Sequence, residues 1–161
     1  MEELVAMCKR EYPRLVGMLG LYCGEVDVAE DLAQEALIRL CRDWRKVSRM
    51  DAPERWLQRV AINLAHSHYR RRTIERRALR AVGARRSGSE TPDVGIETLE
   101  LLKKLPHRQK TALLLHYYLD LPVREVAEMM QVPEGTAKTL IHRGTHAFRT
   151  DATGGEAGSG I

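Results

Sequence analysis

The chain has 161 residues, of which 43% are apolar and only 5% aromatic. This apolar share excludes a chain that is disordered throughout, and the use of Leu, Ala, Val and Met rather than aromatic residues favours helices over strands. From this composition we predict an all-α fold. The net charge is +4, and Arg outnumbers Lys 20 to 6. This excess of Arg favours nucleic acid as a partner, because a guanidinium group matches phosphate geometry well.

The N-terminal residues and the cysteines indicate where such a chain works. MEELVAMCKR opens with two acids, and no run approaches the roughly 18 apolar residues that a membrane span needs. Cys8, Cys23 and Cys41 are odd in number and lack CxxC spacing, which predicts buried thiols in a reducing compartment rather than a disulfide framework. We expect a cytoplasmic protein.

Composition divides the chain into four segments. Residues 1–72 and 97–149 have helical patterns and predict two small domains, the second with a helix-turn-helix. Residues 73–96 are rich in Arg, Gly and Ser and predict a flexible linker, and residues 150–161 predict a disordered tail. Residues 66–86 hold eight Arg against the single Glu75, a local charge of +7 that indicates a nucleic-acid contact; a merely solvated basic face is the alternative.

The first domain contains a helix predicted from about Val28 to Trp44. Asp27 followed by Glu30 resembles a helix start, because a side-chain oxygen and an early acid both stabilise the first turn. The predicted apolar stripe consists of Leu32, Ala33, Ala36, Leu37 and Leu40. Acidic and polar residues cluster at the beginning of this helix, so one side is core and the other starts acidic.

A second long helix is predicted from about Ala52 to Arg72. Asp51 and Glu54 repeat the start pattern, and Pro53 suits a first turn, where no amide partner is lost. The predicted buried seam consists of Trp56, Leu57, Val60, Ala61, Leu64 and Ala65. A second stripe is basic and polar along its whole length and consists of Arg55, Arg59, Asn63, His66 and Arg70.

The last segment predicts a helix-turn-helix. A short helix carrying Leu99, Leu102 and Leu105 ends at Pro106, and a longer one runs from His107 to about Leu119. Helices from Val123 to Met130, with Val126, Ala127 and Met130 inward, and from Glu134 to about Arg149 flank the break at VPEG. In such a motif the second helix lies in the major groove, whereas a plain helical hairpin is the alternative. The predicted reading residues are Glu134, Gly135, Thr136, Lys138, Thr139, His142 and Arg143.

The run LPHRQKTALLLHYYLDLPVREVAEMMQVPEGTAKTLIHRG resembles region 4 of extracytoplasmic-function (ECF) sigma factors of bacterial RNA polymerase, and VPEGT is its most distinctive word. DVAEDLAQEALIRLCRDW at 27–44 resembles the polymerase-binding helix of that family, and APERWLQRVAINLAHSHYRRR at 52–72 resembles its promoter-opening helix. The matches come in the family's order.

This resemblance implies a division of labour. Region 2 would bind RNA polymerase core enzyme and open the minus-ten element, region 4 would read the minus-35 element of promoter DNA, and an anti-sigma factor would restrain both. The implied polymerase contacts are Asp31, Leu32, Gln34 and Glu35. The implied minus-ten contacts are Ser48, Arg49, Asp51, Arg55, Arg59, Asn63, His66, Arg70, Arg71 and Arg72. No catalysis, cofactor, metal or membrane insertion is expected.

Four positions depart from the family pattern. Ser67 stands where Asp is common, and Leu140 where Arg is frequent. Gln131 replaces the usual turn Gly, and Gly144 lies inside the last helix; each substitution costs roughly 1 kcal/mol in conformational terms. The minus-35 contacts are therefore less determined than the fold.

Three other classes of function compete. An enzyme is disfavoured because the pairs His66 and His68, and His142 and His146, lack a third metal ligand nearby, and no strand scaffold for a catalytic triad is predicted. A stand-alone helix-turn-helix regulator would leave residues 1–72 without a task. A protein interaction module with a solubilising basic cluster would show no salt-dependent DNA binding.

Overall fold

The computed structural model describes residues 1–83 and 95–156. Within these ranges every regular element is helical, as predicted. The helices are α1 (Glu2–Cys23), α2 (Val26–Val47), α3 (Pro53–Val82), α4 (Ile96–Lys104), α5 (His107–Leu113), α6 (Val123–Met130) and α7 (Glu134–Glu156). The chain divides into two compact units, Met1–Pro92 and Asp93–Ile161. None of the described helices is long and apolar enough to cross a membrane.

In the first unit, α1, α2 and α3 pack against one another around a core of aliphatic side chains. The predicted stripe of α2 is confirmed at Leu32, Ala33, Ala36 and Leu40, whereas Leu37 is half-buried. On α3 the buried residues are Leu57, Gln58, Ala61, Ile62, Leu64 and Ala65. Trp56 and Val60 were predicted in this seam but are only half-buried, because α3 turns Gln58 and Ile62 toward the core instead.

Helix boundaries differ from the predicted ones at both ends of α3. α3 starts at Pro53, after Ala52, and Asp51 does not make the predicted capping hydrogen bond. α2 likewise starts at Val26, after Glu25, and Asp27 does not cap it. α3 does not end at Arg72 but continues to Val82, ten residues into the predicted linker. These residues are mostly good helix formers, and the first breaker is Gly83, whose φ of 76° is left-handed.

The second unit contains α4 to α7. The helix predicted to run to Leu119 is α-helical only to Leu113 and continues as a π-helical stretch over Leu114–Tyr118. Among the inward residues of α6, Met129 is buried and Met130 only half-buried, the reverse of the prediction. α7 does not end near Arg149 but continues to Glu156, so the predicted disordered tail is helical at its start; residues 157–161 lie outside the described ranges.

Gly144 has a packing role that the sequence did not show. A Cβ atom added there would lie 3.0 Å from Cγ and 3.1 Å from Cδ1 of Leu113, which is buried on α5. Glycine therefore lets α5 and α7 approach closely, and this contact compensates for its low helix propensity. Leu140, the other departure on α7, is half-buried.

The cysteines are free, but they are not all buried. Cys8 and Cys23 are half-buried and Cys41 is exposed. The prediction of three buried thiols is therefore wrong for Cys41, which lies one residue beyond the buried Leu40 on the outer side of α2.

Candidate nucleic-acid interface

The second unit presents α7 on a helix-turn-helix scaffold. The turn between α6 and α7 is closed by hydrogen bonds from the Val132 amide to the Ala127 carbonyl (3.0 Å) and from the Ala137 amide to the Pro133 carbonyl (3.1 Å). Gln131 adopts the left-handed conformation, with φ of 56° and ψ of 47°, which confirms the strained turn predicted at this position. Ala127 is buried where the two helices pack, as predicted, and Ala137 and Ile141 of α7 are buried as well.

The opposite side of α7 is exposed and polar. Of the seven predicted reading residues only Thr136 is half-buried, and the six exposed ones are Glu134, Gly135, Lys138, Thr139, His142 and Arg143. The Thr139 hydroxyl donates to the Gly135 carbonyl (3.0 Å) and keeps its acceptor capacity. A Cβ added at Gly135 would meet nothing within 4 Å, so this end of the helix leaves room for another molecule's backbone to come close.

In the first unit the basic stripe of α3 is more mixed. Arg59, Asn63, Arg70 and Arg71 are exposed, as a DNA contact requires. Arg55 is half-buried and its guanidinium donates to Oε1 of Gln58 (3.3 Å). The stripe is therefore exposed at some positions and tied to the protein at others.

Two members of the stripe are held by the first unit itself. Arg72 forms an ion pair with Glu25, just before α2, and its side chain is only 15% exposed. His66 is half-buried with its ring centroid 5.7 Å from that of Tyr22. Burial, and then the nearby Arg70, lower the pKa of His66, so the ring is neutral at pH 7 and adds no positive charge.

The loop between α2 and α3 exposes Ser48, Arg49 and Asp51. Amide hydrogen bonds from Ser48 to Trp44 (2.8 Å) and from Met50 to Val47 (3.0 Å) fix its first residues as a continuation of the helix end. A shallow, open basic cleft of about 480 Å³, which was not predicted from the sequence, adjoins this loop. It is lined by Arg42, Asp43, Arg45, Lys46 and Arg49. Its signal was four cations within eight residues at a helix C-terminus, where positive charge is also favoured by the helix dipole.

The predicted polymerase contacts on α2 are partly on the surface. Asp31 and Gln34 are exposed, and Glu35 forms a surface ion pair with Arg39 (Oε1 to Nε 3.0 Å). Leu32 is only 9% exposed and belongs to the core, so its side chain does not extend this surface as predicted.

Each of the two units matches the model of a known protein family. Residues 7–75 match the family model of Sigma-70 region 2, and residues 96–145 match that of Sigma-70 region 4. The ECF RNA polymerase sigma factor SigW of Bacillus subtilis is 31% identical over 149 residues, covering 78% of this chain and 76% of that protein. The RNA polymerase sigma-H factor of Pseudomonas aeruginosa is 26% identical over 151 residues, covering 84% and 78% respectively.

Two solved structures share the fold. The sigma factor RpoE from Bartonella quintana, crystallised with the anti-sigma factor NepR, superposes with a TM-score of 0.78 at 18% identity, covering 95% of this chain and 98% of that one. CnrH, in complex with the cytosolic domain of CnrY, gives 0.64 at 16% identity and covers 91% and 85%. With both sigma regions matched in order and a relative above 30% identity, the chain belongs to the extracytoplasmic-function family of RNA polymerase sigma factors.

Proposed function

We propose that this sigma factor binds RNA polymerase core enzyme through the outer side of α2 and directs it to promoters with two separate DNA contacts. The exposed side of α7 reads the minus-35 element as duplex. The loop after α2, together with the exposed residues of α3, holds the minus-ten element while its strands separate. The protein contributes recognition and strand separation, and the polymerase carries out the chemistry.

The observation that carries this proposal is the two-sided character of α7. Ala137 and Ile141 are buried against α6, while Lys138, Thr139, His142 and Arg143 are exposed on the other side. A helix held by its apolar side on a helix-turn-helix can place its polar residues in a major groove. Cations and hydroxyl groups there suit both phosphates and base edges.

The contacts assigned to the minus-ten element follow from charge and exposure. The loop residues Ser48, Arg49 and Asp51 adjoin the basic cleft at the end of α2. Arg59, Asn63, Arg70 and Arg71 continue an exposed basic and amide-bearing surface along α3. Such a surface suits a single strand, because cations follow its backbone and polar groups reach its unpaired bases.

Asp31, Gln34 and Glu35 support the polymerase contact, because an exposed acidic and polar surface fits a basic partner helix. We also propose an anti-sigma factor as a regulatory partner. Both structural neighbours, RpoE with NepR and CnrH with CnrY, are seen in complexes, the first named as one with an anti-sigma factor. We propose that the protein acts in the bacterial cytoplasm, because its proposed partners, polymerase and promoter DNA, are found there.

Run-off transcription with purified core enzyme tests the proposal. Fragments of the source genome serve as templates, and the chain is expected to give discrete start sites that core enzyme alone does not give. Salt-dependent binding of the chain to duplex DNA, without any complex with core enzyme on size exclusion, would instead support a stand-alone regulator.

The polymerase contact has its own test. Asp31→Lys is expected to weaken binding to core enzyme about tenfold, because it places a cation opposite a basic surface. Glu3→Lys makes the same charge change on the exposed start of α1 and serves as the matched control. Equal affinity of the two variants, with helicity unchanged, would contradict this assignment.

A further inference from the structure

Two cysteines from neighbouring helices meet in the first unit. Cys8 lies on α1 and Cys41 near the end of α2, and these two helices pack directly against each other. Because only Gly24 and Glu25 join α1 to α2, the two packed helices run antiparallel, and Cys8 and Cys41 lie at equal distances from this turn. Their thiols are close enough to interact with each other. Cys8 is half-buried, whereas Cys41 is exposed, so one sulfur of the pair can be reached from solvent.

The core fixes this juxtaposition. Met7 and Leu40, the residues immediately before the two cysteines, are 4% and 0% exposed. Because each anchors its helix turn in the shared core, neither helix can rotate the adjacent thiol away without exposing apolar surface. The proximity of the two thiols is therefore a property of the folded unit rather than of two mobile side chains.

We propose that Cys8 and Cys41 form a reversible oxidation site, in which hydroperoxides convert the thiol pair into an intramolecular disulfide between α1 and α2. Sγ of Cys41 attacks a peroxide oxygen and becomes a sulfenic acid, while the other oxygen leaves as water or an alcohol. Sγ of Cys8 then attacks Sγ of Cys41, the sulfur–sulfur bond forms, and the hydroxyl group leaves with the Cys8 proton as water. The two sulfurs together lose two electrons, which the peroxide gains.

The environments of the two thiols set the order of these steps. Burial, and then the neighbouring Cys41 thiol, raise the pKa of Cys8. Cys8 therefore carries little thiolate at neutral pH and is the slower sulfur toward a peroxide in solution. The exposed Cys41 reacts first, and the adjacent Cys8 resolves it before further oxidation.

A disulfide here would affect the unit that carries the proposed minus-ten contact. It joins α1 to α2 next to Arg42 and Arg45 of the basic cleft and restricts the unfolded chain. The thermal transition of this unit is expected to rise by about 10 °C on oxidation and to return on reduction by a dithiol. The inference does not depend on the proposed function, since covalent mapping detects the bond in the protein alone.

The experiment treats the full reduced chain, at low protein concentration, with hydrogen peroxide and then blocks remaining thiols with an alkylating reagent. Peptide mass mapping is expected to find Cys8 joined to Cys41, with the mass of two hydrogens lost, and Cys23 alkylated. Dithiothreitol should restore both thiols. Alkylation of Cys8 and Cys41 in the treated chain, or a disulfide that includes Cys23, would overturn the proposal.

Matched serine variants sharpen this result. Cys23→Ser removes the other half-buried cysteine of α1 and is expected to leave the oxidation product and the thermal shift unchanged. Cys8→Ser should leave Cys41 as a sulfenic acid that a dimedone probe traps, and Cys41→Ser should abolish both the trapping and the shift. Loss of the shift in Cys23→Ser, or its persistence in Cys41→Ser, would contradict the assignment.

Discussion

α3 and α7 are both assigned to DNA, yet they use their polar residues differently. On α7 the exposed side does little for the fold: within the described part of the chain, no hydrogen bond or ion pair holds the side chains of Lys138 or Arg143. On α3 the stripe is shared between protein and solvent, since Arg72 is paired with Glu25 and His66 is half-buried against Tyr22. On α7, the side that packs on the protein is thus distinct from the side assigned to duplex DNA. On α3, residues that pack on the protein and residues assigned to DNA alternate along one stripe.

The largest expected effect concerns α7. Lys138→Ala or Arg143→Ala should weaken binding to duplex DNA. If the cation contacts a base edge, the loss should be about 1 to 3 kcal/mol and should depend on the DNA sequence. If it contacts phosphate, the loss should be similar for all sequences, and the slope of log affinity against log salt concentration should fall by about one. Binding titrations at several salt concentrations measure both. Lys104→Ala, an exposed cation on α4, is the control. Identical losses in the control would remove the special role of α7.

The matching change on α3 should affect a different step. Asn63→Ala is expected to leave closed-complex binding nearly intact while slowing promoter opening about tenfold, or about 1.4 kcal/mol in the barrier, because Asn63 is assigned to the separated strand. Permanganate footprinting over time measures the opening. Unchanged opening would transfer the role to Ser48, Arg49 and Asp51 in the preceding loop.

Arg70 and Arg72 test whether one stripe really has two tasks. Arg72→Ala should lower the free energy of unfolding by about 1 kcal/mol, because it leaves the partly buried Glu25 without its guanidinium partner. Arg70→Ala, at an exposed position on the same helix, should leave stability within about 0.5 kcal/mol and weaken DNA binding instead. Denaturant unfolding measures the stability of both variants. Equal free energies of unfolding would mean that the ion pair with Glu25 does not give Arg72 a structural role that Arg70 lacks.

Gly144 and Gly135 offer a similar contrast within α7. Gly144→Ala should destabilise the second unit by about 1 kcal/mol, since the new methyl group meets buried Leu113 and the strain exceeds the gain in helix propensity. Gly135→Ala has open space around it and should be neutral or slightly stabilising. Thermal unfolding compares them. If Gly144→Ala were more stable than the parent protein, the Leu113 side chain on α5 would have to move aside for the new methyl group without a cost in stability.

The smallest effect is a pH dependence. The lowered pKa of His66 means that the unfolded chain takes up a proton before the folded one does. Stability should thus be unaffected by this group above about pH 6.5 and should fall as the pH drops from there through the folded pKa. His66→Gln should flatten this decline, while the part due to His107, whose pKa burial also lowers, remains. An unchanged slope in unfolding curves between about pH 7 and 5 would assign the decline elsewhere.

Much of the fold could be predicted because helix periodicity and helix breakers act locally. The bounds of α6 and the start of α7 follow from the residues at VPEG, and the buried Ala127, Ala137 and Ile141 follow from helical spacing. The end of α3 could not be placed in this way. Arg-rich composition suggested a linker from residue 73, yet Arg is a good helix former, and the helix ends only at Gly83.

The sequence alone determined the helical class, the helix-turn-helix and the family resemblance, since all three depend on spacing and short motifs. Only the tertiary structure decided which residues are left for a partner. Leu32 lies in the core, Arg72 is paired with Glu25, and His66 is half-buried. It also brought Cys8 to Cys41 and assembled the basic cleft beside Arg49. A helical pattern states which residues share a side of one helix, but exposure, pairing and contact depend on what the neighbouring helices cover.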